Sequence, residues 1–345
     1  MKSGTLSCVS VGLICLLAPY VCFGESSSCG LLPEEVPEAL TESQCDELRR
    51  FLRPFPEFTP DNAKILGWCK SVDQVRPQAL LEIRLFSPEN HMAEIDFNVV
   101  DGTVTWWLLL GGPPESFKDD NTPMEDVLTA EQAFQAAVPF LQHYSLSTDM
   151  SGYRVLPHPF ILPHNARCGL WLVEKYLDYE GVPCWPSKIS ISVSAWNGRV
   201  SVLSYTPVIV PENEPREITR EQAIERVRHW TSTEAIPNWY AEGGEVSSLR
   251  LRENPLQDTV LIISVPNEFF NVREFNPLEP LRSYYSWAVP VLLCLGDGRD
   301  AREFPLSVCV NTANAEILGF ADSADKLREM WGVEFRDSGA PKEEP

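Results

Sequence analysis

One short string occurs three times along this chain, as LTESQ at 40–44, LTAEQ at 128–132 and ITREQ at 218–222. Its threonines, Thr41, Thr129 and Thr219, lie 88 and then 90 residues apart (129 − 41 and 219 − 129). Each string is a capping box. The threonine side chain can accept from the backbone N–H three residues on, and Gln44, Gln132 or Gln222 can reach back to the threonine's own N–H. A hydrophobic staple accompanies each box, since Leu40, Leu128 and Ile218 stand one turn from Cys45, Ala133 and Ala223. A single box marks only a helix start; three at near-constant spacing predict a repeated structural unit.

A short apolar stripe at helical spacing follows every box. The first uses Cys45, Leu48, Phe51 and Leu52, the second Ala133, Phe134, Ala137, Val138 and Leu141, and the third Ala223, Ile224, Val227 and Trp230. Pro54 should stop the first helix, and Pro139 should kink or shorten the second. These stripes read as core faces rather than cofactor sites.

The pattern then changes to a two-residue period. Strands are expected at 79–86, 93–100 and 104–110 in unit one, and at 170–176, 189–195 and 199–205 in unit two. Asp101-Gly102 and Asn197-Gly198 read as type I′ hairpin turns, whose two central residues need positive φ. In unit three the matching hairpin is 306–311, a turn at Ala313-Asn314, and 316–320, with no glycine. Unit three is also longer: 96 residues from its threonine to the end of its turn (315 − 219), against 69 (198 − 129) and 61 (102 − 41). The surplus is assigned to the Pro266–Pro280 stretch, with Phe269, Phe270 and Phe275, and to the loop Gly296–Pro305.

Residues 3–24 carry no charge, follow Lys2, and end at Gly24 before Glu25. That layout is a secretory signal peptide over 1–24; the competing reading is a retained membrane anchor. Export would place the cysteines in an oxidising compartment. Six fall two to a unit: Cys45 and Cys69, Cys168 and Cys184, Cys294 and Cys309. Pairing within each unit is one reading, and buried free thiols are the other. Cys29 is left over.

The formal net charge is −21, with Lys and Arg scattered, which argues against nucleic acid as a partner. No phosphate-cradling glycine loop, dinucleotide fingerprint, nucleophile elbow or CxxC spacing occurs. His158, His164 and Cys168 form the single local group of metal-ligating types, at a spacing that matches no standard site. No cofactor, metal or catalytic residue is assigned.

A capping-box helix, a strand centred on a tryptophan and a closing hairpin together resemble the PepSY-like repeat family. The residues that carry this are 129–133, Trp171 and 195–200 in unit two, and 219–223, Trp287 and 310–317 in unit three; unit one is a shorter relative. The resemblance implies a cystatin-like α+β fold: three tandem repeats, each a short helix packed on an antiparallel β-sheet, over 38–112, 128–208 and 218–321, with a C-terminal tail at 322–345. In function it implies a secreted or cell-envelope, non-enzymatic binding protein that modulates an exported peptidase or another exported protein. The family has no shared catalytic residue to carry over, and this sequence lacks the His-Glu-x-x-His motif of a metallopeptidase whose propeptide it could be. The alternatives are an exported hydrolase with a dispersed site and a structural envelope protein.

Overall fold

The computed structural model describes residues 35–70, 79–89, 91–110, 128–161, 167–214, 217–233, 240–241, 244–267, 278–295 and 302–331. The signal segment and Cys29 lie outside these. All three capping boxes form. The N–H groups of Thr41, Thr129 and Thr219 donate to Gln44, Gln132 and Gln222 at 2.8, 2.8 and 2.7 Å, and the glutamine N–H groups return to the threonine hydroxyls at 3.3, 3.2 and 3.2 Å. They open α1 (Glu42–Phe51), α2 (Ala130–His143) and α3 (Arg220–Thr233). Pro139 does not end α2, which continues through it to His143.

A second device fixes where α2 and α3 enter. The indole of Trp171 donates to Leu128 O at 2.9 Å and that of Trp287 to Ile218 O at 3.0 Å. The N–H groups of the same Leu128 and Ile218 donate to Ala195 O and Thr312 O, each at 2.8 Å. Leu128 and Ile218 are thus tied to the sheet through both their backbone groups, which sets the approach of α2 and α3.

Among the described residues, fourteen strands follow in three sets. The first is β1 (Ala63–Lys70), β2 (Ala79–Phe86), β3 (Met92–Asn98) and β4 (Thr103–Leu110). The second is β5 (Arg154–Ile161), β6 (Arg167–Tyr179), β7 (Val182–Ser194) and β8 (Val200–Thr206). The third is β9 (Tyr240–Ala241), β10 (Gly244–Leu251), β11 (Val260–Ser264), β12 (Tyr284–Leu295), β13 (Arg302–Asn311) and β14 (Ile317–Asp322). The four-residue α4 (Pro255–Asp258) interrupts β10 and β11, and α5 (Ala324–Trp331) follows β14.

Three tandem helix-on-sheet repeats are not what these sets build. β4 pairs antiparallel with β8 (Trp106↔Ser204, Leu108↔Val202), so the first two sets merge in the order β1-β2-β3-β4-β8-β7-β6-β5. β7 also pairs in parallel with β11 (Ile263↔Cys184, Ser264↔Trp185), and the third set thereby joins one continuous 14-stranded sheet. A period-2 pattern specifies which face of a strand is buried, while its backbone edges remain free to pair with any strand of matching pleat. The expected units therefore fused at their edges.

Packing follows the fusion. One core holds residues from both α1 and α2 and from the first eight strands, among them Leu48, Phe51, Ile95, Trp107, Phe134, Phe140, Ile191 and Leu203. Phe51 and Phe140, from the two helices, meet edge to face at 5.7 Å, and Phe55 stacks on Trp107 at 4.4 Å. A second core gathers α3, α5 and β10–β14, and takes Trp185 from β7. The Trp185 indole donates to Asp322 at 3.3 Å, and its ring meets Phe320 at 5.4 Å. The segment between β8 and α3 is pinned as well. Asn213 donates to Asn311 Oδ1 and Thr312 Oγ1 at 3.0 and 2.9 Å and accepts from Tyr285 N–H at 2.7 Å.

The three closing turns are alike, but none is type I′. In each, an N–H returns four residues to a carbonyl: Gly102 to Asn98 at 2.9 Å, Gly198 to Ser194 at 3.0 Å, Ala315 to Asn311 at 3.0 Å. Only that last residue has positive φ, at 72°, 70° and 59°. Asp101, Asn197 and Asn314 instead accept from the N–H two residues on, at 3.1, 3.0 and 2.9 Å. These are four-residue loops closed by one left-handed residue. Among the described residues, the two-residue turn with both positions at positive φ is Glu180-Gly181, between β6 and β7 (φ 52° and 78°), which carries no Asn-Gly or Asp-Gly signal. Ala315 occupies the left-handed position that glycine holds in the other two loops. Ala315→Gly is expected to raise stability by about 0.5–1 kcal/mol. Gly198→Ala should cost more than Gly102→Ala, because its new Cβ would also meet Leu128 Cδ1 at 3.3 Å while Gly102 faces open space. Urea midpoints of the three variants check both statements.

Candidate functional site

α1 and α2 cover one face of the first eight strands. Alternate residues point to the other face, and their register forms two continuous rows across it. One runs Glu82–Asp96–Trp106–Ser204–Ser190–Glu174–Arg154. The next runs Arg84–Glu94–Leu108–Val202–Ser192–Leu172–Leu156. Beside the second row, Phe86 pairs with Met92 and Met92 with Leu110. Phe86, Met92 and Leu156 are 38, 36 and 40% exposed, Trp106, Leu110, Leu172 and Val202 are half-buried, and Leu108 and Ser192 in the middle of the second row are buried. A sheet face turned to water normally alternates to polar residues. This one keeps large apolar side chains in contact with solvent, as interaction faces do.

Its charge is uneven. Glu82, Glu94 and Asp96 stand close together with Arg84, which donates to Glu94 at 3.0 Å through Nε. Burial, and then the Glu94 charge, raises the Glu82 carboxyl above its ordinary range, with Arg84 opposing. The Cys69 thiol contacts Asp96 Oδ1 at 3.5 Å; burial and that carboxylate push its pKa far up, so it stays protonated and is a poor nucleophile. At the far end Arg154 lies 3.9 Å from Glu174 and 3.7 Å from Glu329 of α5.

A cleft of about 540 Å³ opens where the β2–β3 turn, the β7–β8 turn and α2 come together. Phe55, Phe140, Glu57, Glu89, His91 and Arg199 are among the residues that line it. Ser87 holds the β2–β3 turn by accepting from Glu89 N–H and His91 N–H at 3.2 and 3.0 Å. The Arg199 guanidinium is paired with Glu57, and burial lowers its pKa. Among the described residues, His91 Nδ1 is closed to solvent and has no hydrogen-bond partner. Because Phe86 and Met92 are the last pair before the Ser87–His91 turn, that turn is a rim common to the cleft and the apolar face.

The structure does not bring the cysteines singled out by sequence into pairs. Cys45, Cys69, Cys184, Cys294 and Cys309 are free thiols. Cys45 sits on α1 while Cys69 bonds Asp96 on the opposite face, so the sheet stands between them. Cys168 is at the open end of the β6–β7 hairpin, two residues before the Leu170↔Ser194 pair, whereas Cys184 follows the Asp178↔Pro183 pair beside its turn. At about 3.3 Å per residue they are about 30 Å apart. Cys294 faces Glu303 and Cys309 faces Ala288, six residues along the same ladder and so about 20 Å apart. A bridge needs Cα atoms within about 7 Å. Burial raises the thiols of Cys184 and Cys309, each to about 12, with Asp178 adding to the first and Ser264 opposing the second.

For the possible metal ligands, only the backbone of His158 and Cys168 can be placed, on β5 and β6, and His164 lies outside the described residues. Among the described residues no group of three or more His, Cys, Asp or Glu is disposed to hold a metal ion. Residues 296–301 of the expected Gly296–Pro305 loop and most of the Pro266–Pro280 stretch also lie outside them, while 302–305 begin β13.

The outer face was legible in part. The alternation Leu81-Glu82-Ile83-Arg84 marks it as polar, and the unbroken Trp106-Trp107-Leu108-Leu109-Leu110 signals a strand apolar on both faces. No protein-family model matches the chain, and no curated protein matches it. Among the described residues no helix is long and apolar enough to cross a membrane.

Proposed function

We propose that the chain is an exported, non-enzymatic binding protein that docks a basic, amphipathic polypeptide on the outer face of its first eight strands. The observation that carries this is the exposed Phe86–Met92 pair beside the carboxylates Glu82, Glu94 and Asp96. Apolar side chains of the partner would cover the former, and its cations would meet the latter. The net charge of −21 favours a basic partner in encounter as well as in contact. Export is supported by the uncharged run over 3–24. The PepSY-like residue pattern implies that the partner is itself an exported protein or peptidase.

Titration with a fluorescent peptide of alternating lysine and leucine, against its glutamate–leucine counterpart, tests the reading. The basic peptide should saturate, bind more weakly as salt rises, and lose about tenfold or more in affinity when Phe86→Ser and Met92→Ser are combined. Equal binding of the acidic peptide, or indifference to the double variant, would overturn it.

A further inference from the structure

We infer that Met92 is a peroxide-reactive modification site, and that conversion of its thioether to a sulfoxide releases the docked partner, the release resting on the docking proposed above. Met92 is exposed at the start of β3, and the register sets it between Phe86 of β2 and Leu110 of β4 on the outer face. The other methionines among the described residues are less open. Met150 is half-buried against the first core, and Met330 is buried in the second. The thiol on the same face competes poorly. Thiols react with peroxide as thiolates, and burial with the neighbouring Asp96 keeps Cys69 protonated. A thioether has no proton to lose, so access decides its reactivity. In the reaction the Met92 sulfur attacks the terminal oxygen of a hydroperoxide. An S–O bond forms as the O–O bond breaks, the hydroxyl proton passes to the departing oxygen, and the peroxide leaves reduced to water or an alcohol. The sulfoxide oxygen is a strong acceptor, yet its flanking side chains, Phe86 and Leu110, offer no donor. Covered by an apolar partner, that oxygen would lose water and gain no hydrogen bond. Oxidation therefore opposes docking at the point where the face is most apolar, and enzymatic reduction of the sulfoxide reverses it.

The full chain is treated with graded hydrogen peroxide at about pH 6, where ordinary thiols are largely protonated, and oxygen uptake is mapped by mass spectrometry of its peptides. Met92 should gain one oxygen about threefold or more faster than Met150, with Met330 slower still. The oxidised protein should bind the lysine–leucine peptide about fivefold or more weakly, and methionine sulfoxide reductase should restore the affinity. Met92→Leu keeps the apolar surface without the sulfur, so it should bind as the parent does and lose nothing on treatment. Met92→Gln should bind as weakly as the oxidised protein without any treatment. Uptake at Met150, Met330 or Cys69 ahead of Met92 would overturn the site. Unchanged binding after oxidation of Met92, or an equal loss in treated Met92→Leu, would overturn the release. If Phe86→Ser weakens the peptide while oxidation of Met92 does not, the docking face stands and the switch falls. If the untreated protein binds no peptide, docking and release fall together, and the uptake map alone decides the site.

Discussion

Trp107→Ala should destabilise the protein by about 3–5 kcal/mol, the range for deleting a fully buried large aromatic side chain. Trp107 is completely buried. Its ring is stacked against Phe55 at 4.4 Å and lies near Phe51 and Phe58 at 5.8 and 5.7 Å. It belongs to β4, the strand at which the first set joins the second, and its neighbour across the junction is Leu203 of β8. The loss should therefore be felt on both sides. Hydrogen exchange under increasing denaturant should show amides of β1–β4 and of β5–β8 opening together, at lower urea than in the parent. Amides of β12 and β13, whose core is separate, should retain more of their protection. Loss confined to β1–β4 would mean that the first two sets are independent units after all.

Local grammar was readable and edge pairing was not. The capping boxes predicted three helix starts, and the strand at 79–86 forms with the expected bounds. Each of these depends on residues within a few positions of one another. The union of β4 with β8 depends on Trp106 meeting Ser204, and that of β7 with β11 on Cys184 meeting Ile263. Backbone edges carry no side-chain signature, so nothing in either strand names its partner. The interruption of β10 and β11 by α4 blurred the third unit in the same way, since both halves lie along one side of β12. The binding face was half-visible for a related reason. Alternation identifies an outward face, but whether a covering element lies over it is a tertiary fact. The cysteines misled because two to a unit looks like pairing, whereas register sets Cys294 and Cys309 far apart along one ladder. The cleft could not have been read at all: Glu57 and Arg199 are 142 residues apart.

The fused core also makes an acid-sensitive contact between the first two helices. Glu47 of α1 accepts from His143 Nε2 of α2 at 2.9 Å, with both side chains 11% exposed, and Arg50 reaches the other carboxylate oxygen at 2.5 Å. Phe51 and Tyr144 enclose the imidazole at 5.5 and 4.7 Å. Burial pushes the Glu47 carboxyl up, but the hydrogen bond and charge of His143, followed by the charge of Arg50, outweigh it and leave the pKa below its ordinary 4.5. A carboxyl whose folded pKa is depressed stabilises the fold above its unfolded value, and that contribution is lost as pH falls through the folded pKa. His143→Gln should therefore cost about 1.5–3 kcal/mol near neutral pH, the worth of a hydrogen bond to a charged group. The gap between parent and variant should narrow as pH drops below 4.5, because the parent then loses what the variant already lacks. Urea midpoints at about pH 7, 5 and 3.5 measure that gap across the window in which the carboxyl titrates. A gap that stays constant would assign the effect to lost packing against Phe51 and remove Glu47 from it.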